Sequence, residues 1–128
     1  MICVDANILI AALSSSDTFH DAAAAALIDH DGAIALNITW AEALVHPHRL
    51  GKADEAREVL TEFGVRTHDV TDDFAFAATA LRATHGTRNF PMLDALVVAA
   101  GSVLGIPILT TDAKWPDVDG VDIRVLTA

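Results

Sequence analysis

The sequence from residue 92 to residue 112, MLDALVVAAGSVLGIPILTTD, contains a helix pattern followed closely by a strand pattern. Apolar side chains lie on most faces of the predicted helix 92–104, so we expect this helix to be nearly buried. Gly105 is typical of a helix C-terminus, and the apolar run 106–110 predicts a buried strand. A buried helix joined by a short connection to a buried strand favours a parallel sheet covered by helices.

The rest of the chain repeats this alternation of short apolar runs and longer helical patterns. Further strands are predicted at 1–4, 33–36, 65–67 and 123–126, and further helices at about 7–13, 18–30, 39–47, 52–63 and 71–84. Thr39 and Glu42 have the spacing of a capping box, which predicts that one helix begins near Thr39 and ends at Pro47. The expected fold is one α/β domain over residues 1–128, with a central, mostly parallel sheet of four to five strands flanked by helices on both faces.

The composition excludes several classes of protein. An apolar content of 52% and a mean hydropathy of +0.39 exclude a disordered chain. No apolar run reaches the roughly 18 residues of a membrane-spanning helix, so we expect no membrane association. Cys3 is the single cysteine, which excludes a disulfide framework and favours a cytoplasmic location. A net charge of −10 excludes nucleic-acid binding through a general electrostatic field, so any such binding requires a local arrangement.

Four acidic residues occupy positions where parallel sheets bind ligands, beyond the carboxyl ends of the strands. Asp5 directly follows the first strand, and Asp112 follows the strand that ends near Thr110. Glu42 and Asp94 are expected in the first turns of their helices. Each lies among apolar neighbours, and an unpaired buried carboxylate is costly.

Each acid also has a purely structural interpretation. Glu42 can complete the capping box, and Asp94 can complement a helix dipole. Asp112 can cap a turn before Lys114 and Trp115. Asn7 can orient Asp5 through a hydrogen bond, or it can cap the short helix that follows.

If the four acids converge, they require cations. Two carboxylates ~4 Å apart repel by roughly 4 kcal/mol at an effective dielectric constant near 20. Mg²⁺ and Mn²⁺ favour sites made of carboxylates and water, and such ions can activate a water molecule and stabilise charge on a phosphate. The predicted chemistry is therefore phosphodiester hydrolysis.

The sequence resembles PIN-domain ribonucleases, specifically the VapC toxins of prokaryotic toxin–antitoxin pairs. The resemblance lies in the opening MICVDANILI, in WAEAL at 40–44 and in LDALVVAAGSVLGIPILTTDAKW at 93–115, and it extends over essentially the whole chain. In that family the acids that match Asp5, Glu42, Asp94 and Asp112 bind Mg²⁺ or Mn²⁺, and the residue that matches Thr110 often supports the site.

The resemblance implies a metal-dependent endoribonuclease that cleaves RNA, forms a homodimer and is inhibited by a cognate VapB-like antitoxin. Asp117 is a peripheral candidate ligand, although a place in a solvated loop at 116–122 fits it better. Many relatives carry a basic residue and a proline close before the third acid. Here Arg88 and Pro91 precede Asp94 by six and three residues, so a role for Arg88 or Arg82 in guiding RNA stays open.

Two other functions are compatible with an α/β domain of this length. The first is a catalytically silent PIN-like interaction module, against which the presence of all four acids argues. The second is a receiver-type signalling domain. Such a domain needs an acid pair after the first strand, whereas Asp5 has no acidic neighbour.

Overall fold

Five short strands form one parallel sheet in the computed structural model, which describes residues 1–30, 32–86 and 88–128. The strands are β1 (Ile2–Val4), β2 (Ala33–Leu36), β3 (Val65–His68), β4 (Ile108–Thr110) and β5 (Ile123–Val125). Their order is β3-β2-β1-β4-β5, and all four pairings are parallel. The predicted fold class is confirmed. This order differs from the 2-1-3-4-5 order of receiver domains, which removes that alternative.

Helices cover both faces of the sheet. Those in the described residues are α1 (Ala6–Leu13), α2 (His20–Asp29), α3 (Asn37–Arg49), α4 (Ala53–Glu62), α5 (Asp72–His85) and α6 (Met92–Leu104). Ile2 and Val4 pack with apolar residues of α1, α2, α3 and α4, whereas Cys3 packs with those of α5 and α6. This alternation follows from the two-residue period of a strand, and it divides the core into two halves separated by the sheet.

The helix α3 differs from the sequence prediction at both ends. It begins at Asn37, so Thr39 lies inside the helix with 1% of its surface exposed and forms no capping box. Pro47 lies inside the same helix instead of ending it. A proline there has no N–H to donate to the carbonyl of Ala43, whereas the N–H of Leu50 still donates to the carbonyls of both His46 and Pro47. Because only the end of the helix is affected, α3 tolerates the proline.

The buried helix α6 confirms the prediction from its apolar pattern. Gly105 ends it in the left-handed region at φ +67°. Gly101 lies directly against Ile108 of β4, so the missing side chain lets α6 approach the sheet closely. None of the helices described is both long and apolar enough to cross a membrane.

Candidate active site

The carboxyl ends of β1 and β4 meet at the centre of the sheet. The strand β2 lies on one side of β1, and β4 lies on the other, so this is a point where the strand order reverses. Asp5 follows β1 and Thr110 ends β4. The Thr110 hydroxyl donates a hydrogen bond of 2.6 Å to Oδ2 of Asp5, which joins residues 105 positions apart in sequence. The structure thus brings Thr110 to Asp5.

Asp5 is the most deeply buried of the four acids, with 5% of its surface exposed. Its Oδ1 accepts a 3.2 Å hydrogen bond from the Ile8 amide, so Asp5 is the N-cap of α1. Burial raises the pKa of Asp5 to about 6, hydrogen bonds from Thr110 and Ile8 oppose this rise, and the charge of Asp94 adds to it. Asn7 contributes a backbone hydrogen bond to Asp5, while its side chain is exposed. Of the two alternatives for Asn7, the structure shows the hydrogen bond with Asp5, and Asp5 itself is the cap of the short helix.

Asp94 lies in the first turn of α6, as predicted, and is partly buried. The indole Nε1 of Trp115 donates a 3.2 Å hydrogen bond to Oδ2 of Asp94. Burial raises the pKa of Asp94, the Trp115 hydrogen bond lowers it, and the charge of Asp112 raises it. Asp94 is therefore an electrostatic neighbour of Asp112 as well as of Asp5.

Asp112 lies in the turn after β4. Its amide donates a 3.0 Å hydrogen bond to Thr110 Oγ1, and its own Oδ1 accepts a 2.9 Å hydrogen bond from the Lys114 amide. The structural interpretation of Asp112 as a turn cap is thus correct. It does not remove Asp112 from the site, because its charge acts on Asp94.

Glu42 is exposed and lies in the second turn of α3, not in the first turn as predicted. Because Thr39 is buried within the helix, the capping-box explanation of Glu42 is wrong. Although part of the side chain is exposed, desolvation of the carboxyl group raises the pKa of Glu42, and so does the charge of Asp94. Asp94 therefore interacts with all three other predicted acids and is the electrostatic centre of the group.

The negative charge of the four acids suits a magnesium ion, although their side chains do not surround a single position. Within the described ranges, no three His, Cys, Asp or Glu side chains are grouped closely enough to hold one ion together. Mg²⁺ needs no such cage, because it keeps several waters and is usually bound by one or two carboxylates together with substrate phosphates. The raised pKa values of Asp5 and Asp94 indicate carboxylates that a cation would favour in their ionised form.

The structure also describes the surroundings of three other residues named in the sequence analysis. Asp117 is exposed in the loop after Trp115, as its alternative interpretation predicts. Arg82 donates a 2.9 Å hydrogen bond from Nη1 to the Phe90 carbonyl, which ties α5 to the segment before α6. Arg88 is exposed in that segment.

Trp115 is the site residue that sequence reasoning missed. It is almost fully buried, with 8% of its surface exposed. Its position three residues after Asp112 was visible in the sequence. The hydrogen bond to Asp94, 21 residues earlier, was not.

A family model describes the same domain. The model for the PIN domain matches residues 2–121, a range that includes all four acids and Trp115. The chain belongs to the PIN domain family. A search of curated proteins found no match for this PIN domain.

Solved structures share the fold of this PIN domain at low sequence identity. A toxin–antitoxin complex from Klebsiella pneumoniae matches with a TM-score of 0.78 and 23% identity, over 94% of this chain and 95% of the other. VapBC2 from Rickettsia felis, bound to a DNA fragment from its promoter, matches with a TM-score of 0.75 and 16% identity, over 99% and 100%. VapC20 from Mycobacterium tuberculosis, a toxin that cleaves the sarcin–ricin loop, matches with a TM-score of 0.70 and 22% identity, over 94% and 92%. The resemblance to PIN domains is confirmed, and these structural neighbours are toxins or toxin–antitoxin complexes.

Proposed function

We propose that this PIN domain is an endoribonuclease dependent on Mg²⁺ or Mn²⁺ and acts as the VapC-type toxin of a toxin–antitoxin pair. The observation that carries the proposal is the position of Asp5, Asp94 and Asp112 at the carboxyl edge of the sheet, where Thr110 hydrogen-bonds to Asp5 and to the Asp112 amide and Trp115 hydrogen-bonds to Asp94. Clustered acids with raised pKa values are costly to the fold, and such clusters are typical of active sites. The toxin neighbours have the same fold.

The residues of the chain have distinct tasks in this proposal. Asp5 and Asp94 would hold the ion, since both are desolvated and lie within each other's field, and Asp112 and Glu42 would add negative charge beside them. When bound, Mg²⁺ or Mn²⁺ supplies a water of lowered pKa and positive charge for the scissile phosphate. Thr110 keeps the Asp5 carboxylate oriented through its 2.6 Å hydrogen bond.

The test is Asp94→Asn, which keeps the side-chain shape and removes one charge. Cleavage of total cellular RNA in Mg²⁺ should fall at least about a hundredfold, because the water-activating ion is lost or misplaced. In EDTA the variant should be as stable as wild type or more so, since the remaining carboxylates repel one another less. The matched control is Asp119→Asn, the same change at an exposed loop position, which should leave cleavage unchanged.

Two outcomes would contradict the proposal. A fully active but destabilised Asp94→Asn variant would show that Asp94 only complements the dipole of α6, a role worth about 0.3–1 kcal/mol. Wild-type protein that yields no RNA product with either metal, and whose melting temperature neither metal changes, would favour the silent interaction module.

The partner that the proposal implies is a VapB-like antitoxin. A groove of about 770 Å³ runs between α1, α3 and α4, and Glu42 lies in its wall beside apolar side chains that include Leu13, Val45 and Val59. A chain segment in this groove would lie next to the acidic site. We expect an antitoxin segment that is disordered when free, folds on binding and places an Arg or Lys near the acids.

A groove variant tests the antitoxin. Val45→Glu should weaken antitoxin binding and leave RNA cleavage intact, whereas Val125→Glu, at a similarly exposed position on β5, should change neither. An antitoxin that binds without slowing cleavage would refute this part of the proposal.

We also propose a homodimer. Large apolar side chains are exposed on several helices, among them Ile28 at 70% and Phe76 at 73%, and association would cover apolar surface of this kind. Light scattering should give twice the mass of 13.5 kDa at about tens of micromolar. A fully active monomer at that concentration would exclude it.

A further inference from the structure

The segment from Thr110 to Trp115 makes a hydrogen bond to one of the acids at each of its two ends. At one end, Thr110 Oγ1 donates to Asp5 and accepts from the Asp112 amide. The Asp112 carboxylate then accepts from the Lys114 amide, which closes a tight turn. At the other end, the Trp115 indole donates to Asp94. One short segment at the end of β4 therefore contacts the carboxylate of Asp5, which follows β1, and the carboxylate of Asp94 on α6.

The orientation of the Trp115 indole is determined by its packing. Trp115 is 8% exposed and meets the fully buried Phe90 edge to face, with ring centroids 6.2 Å apart and an interplanar angle of 67°. The Phe90 carbonyl in turn accepts a hydrogen bond from Arg82 of α5. Packing against Phe90 restricts rotation of the indole ring, and in this orientation its N–H points at Asp94.

We propose, on the basis of the function proposed above, that Trp115 is a positioning residue that fixes the Asp94 carboxylate for metal binding. Its N–H donates to Oδ2, which restricts rotation of the carboxylate. Partners of this kind orient metal ligands, and their loss commonly costs about 10- to 100-fold in metal affinity.

The chain contains its own control for this proposal. Trp40 is also 8% exposed, but its Nε1 has no hydrogen-bond partner in the part of the chain that the structure describes. Trp40→Phe and Trp115→Phe therefore remove equally buried indoles and keep an aromatic ring at each site. Only Trp115→Phe removes a hydrogen bond to an acid of the site.

The primary measurement is Mn²⁺ binding by calorimetry without RNA. We expect Trp115→Phe to weaken Mn²⁺ binding about tenfold and Trp40→Phe to leave it within about twofold of wild type. RNA cleavage gives a second measurement. The Mg²⁺ concentration for half-maximal activity of Trp115→Phe should rise about tenfold, while the rate at saturating Mg²⁺ and the KM for RNA return to near wild type.

Nuclear magnetic resonance tests the same contact in the unaltered protein. The two indole N–H signals can be assigned from the two Phe variants, and Mg²⁺ should move the Trp115 signal and not the Trp40 signal. If Trp115→Phe fails to fold, wild type still gives this result, and the Trp40 signal can be assigned from Trp40→Phe alone.

The outcomes separate this proposal from the proposed function. Wild type that binds no Mn²⁺ and cleaves no RNA would refute the function itself. Wild type that binds Mn²⁺, together with a Trp115→Phe variant that binds it equally or more tightly, would refute the role of Trp115 alone. A Trp115→Phe variant whose rate is reduced equally at every Mg²⁺ concentration would show that the residue has only a packing role.

Discussion

The raised pKa of Asp5 predicts an unusual pH dependence of stability in the metal-free protein. Burial raises this pKa from 3.8 to about 6. Between these two pH values the folded protein binds more protons than the unfolded chain, so the free energy of unfolding falls as pH rises through this window. A pKa difference of about two corresponds to roughly 3 kcal/mol, all of which is lost above about pH 6.

Asp5→Asn isolates this contribution. A protonated carboxyl and an amide both keep one oxygen that accepts from the Ile8 N–H, and both can present a donor to Thr110, whose hydroxyl can turn to accept it. At about pH 4 the variant and wild type should therefore be equally stable within roughly 1 kcal/mol. At about pH 8 only wild type carries a buried charge, so the variant should be more stable by roughly 3 kcal/mol. Part of this difference is the repulsion from Asp94, which already contributes to the raised pKa of Asp5.

The assay is urea unfolding in EDTA at 25 °C across about pH 4 to pH 8, followed by tryptophan fluorescence. Asp119→Asn, the exposed control, should follow the wild-type profile. At about pH 8, Mn²⁺ at ten times its Kd should narrow the difference between the two proteins, because it adds roughly 1.4 kcal/mol to wild type and much less to the variant. Parallel pH profiles for wild type and Asp5→Asn in EDTA would refute the reasoning.

Three further substitutions and probes test particular contacts. Gly101→Ala should lower the free energy of unfolding, measured in urea, by roughly 1 kcal/mol or more. The new methyl group overlaps Ile108, and this overpacking outweighs the gain in helix propensity. A variant of higher stability would contradict this. Thr110→Val should lower stability at about pH 8 by roughly 1–3 kcal/mol and by less at about pH 4, since the ionised Asp5 loses a charge-assisted donor; an equal loss at both pH values would count against the contact. Cys3 should resist alkylation in the folded protein and react fully in urea, because burial raises the pKa of its thiol to about 12; rapid labelling of the native thiol would exclude this packing.

The kinds of elements and their alternation along the chain follow from the sequence alone. Apolar runs predicted the strands because a strand buried on both faces has few polar residues. Helix 92–104 was predicted because a helix that is buried on most sides is also apolar on most faces. The strand ends also placed Asp5, Asp94 and Asp112 in one region, since parallel strands present their carboxyl ends at a common edge. The start of α3 was predicted wrongly, because Thr39 has the spacing of a cap but lies buried within the helix.

Side-chain contacts and the protonation states of the acids depend on the tertiary fold. The hydrogen bond between Asp5 and Thr110 depends on β1 and β4 being neighbours, which strand patterns alone do not specify. The contact between Trp115 and Asp94 depends on a turn that folds back over α6. The raised pKa of Asp5 comes from desolvation, a property of everything packed around the carboxylate and not of its neighbours in the chain.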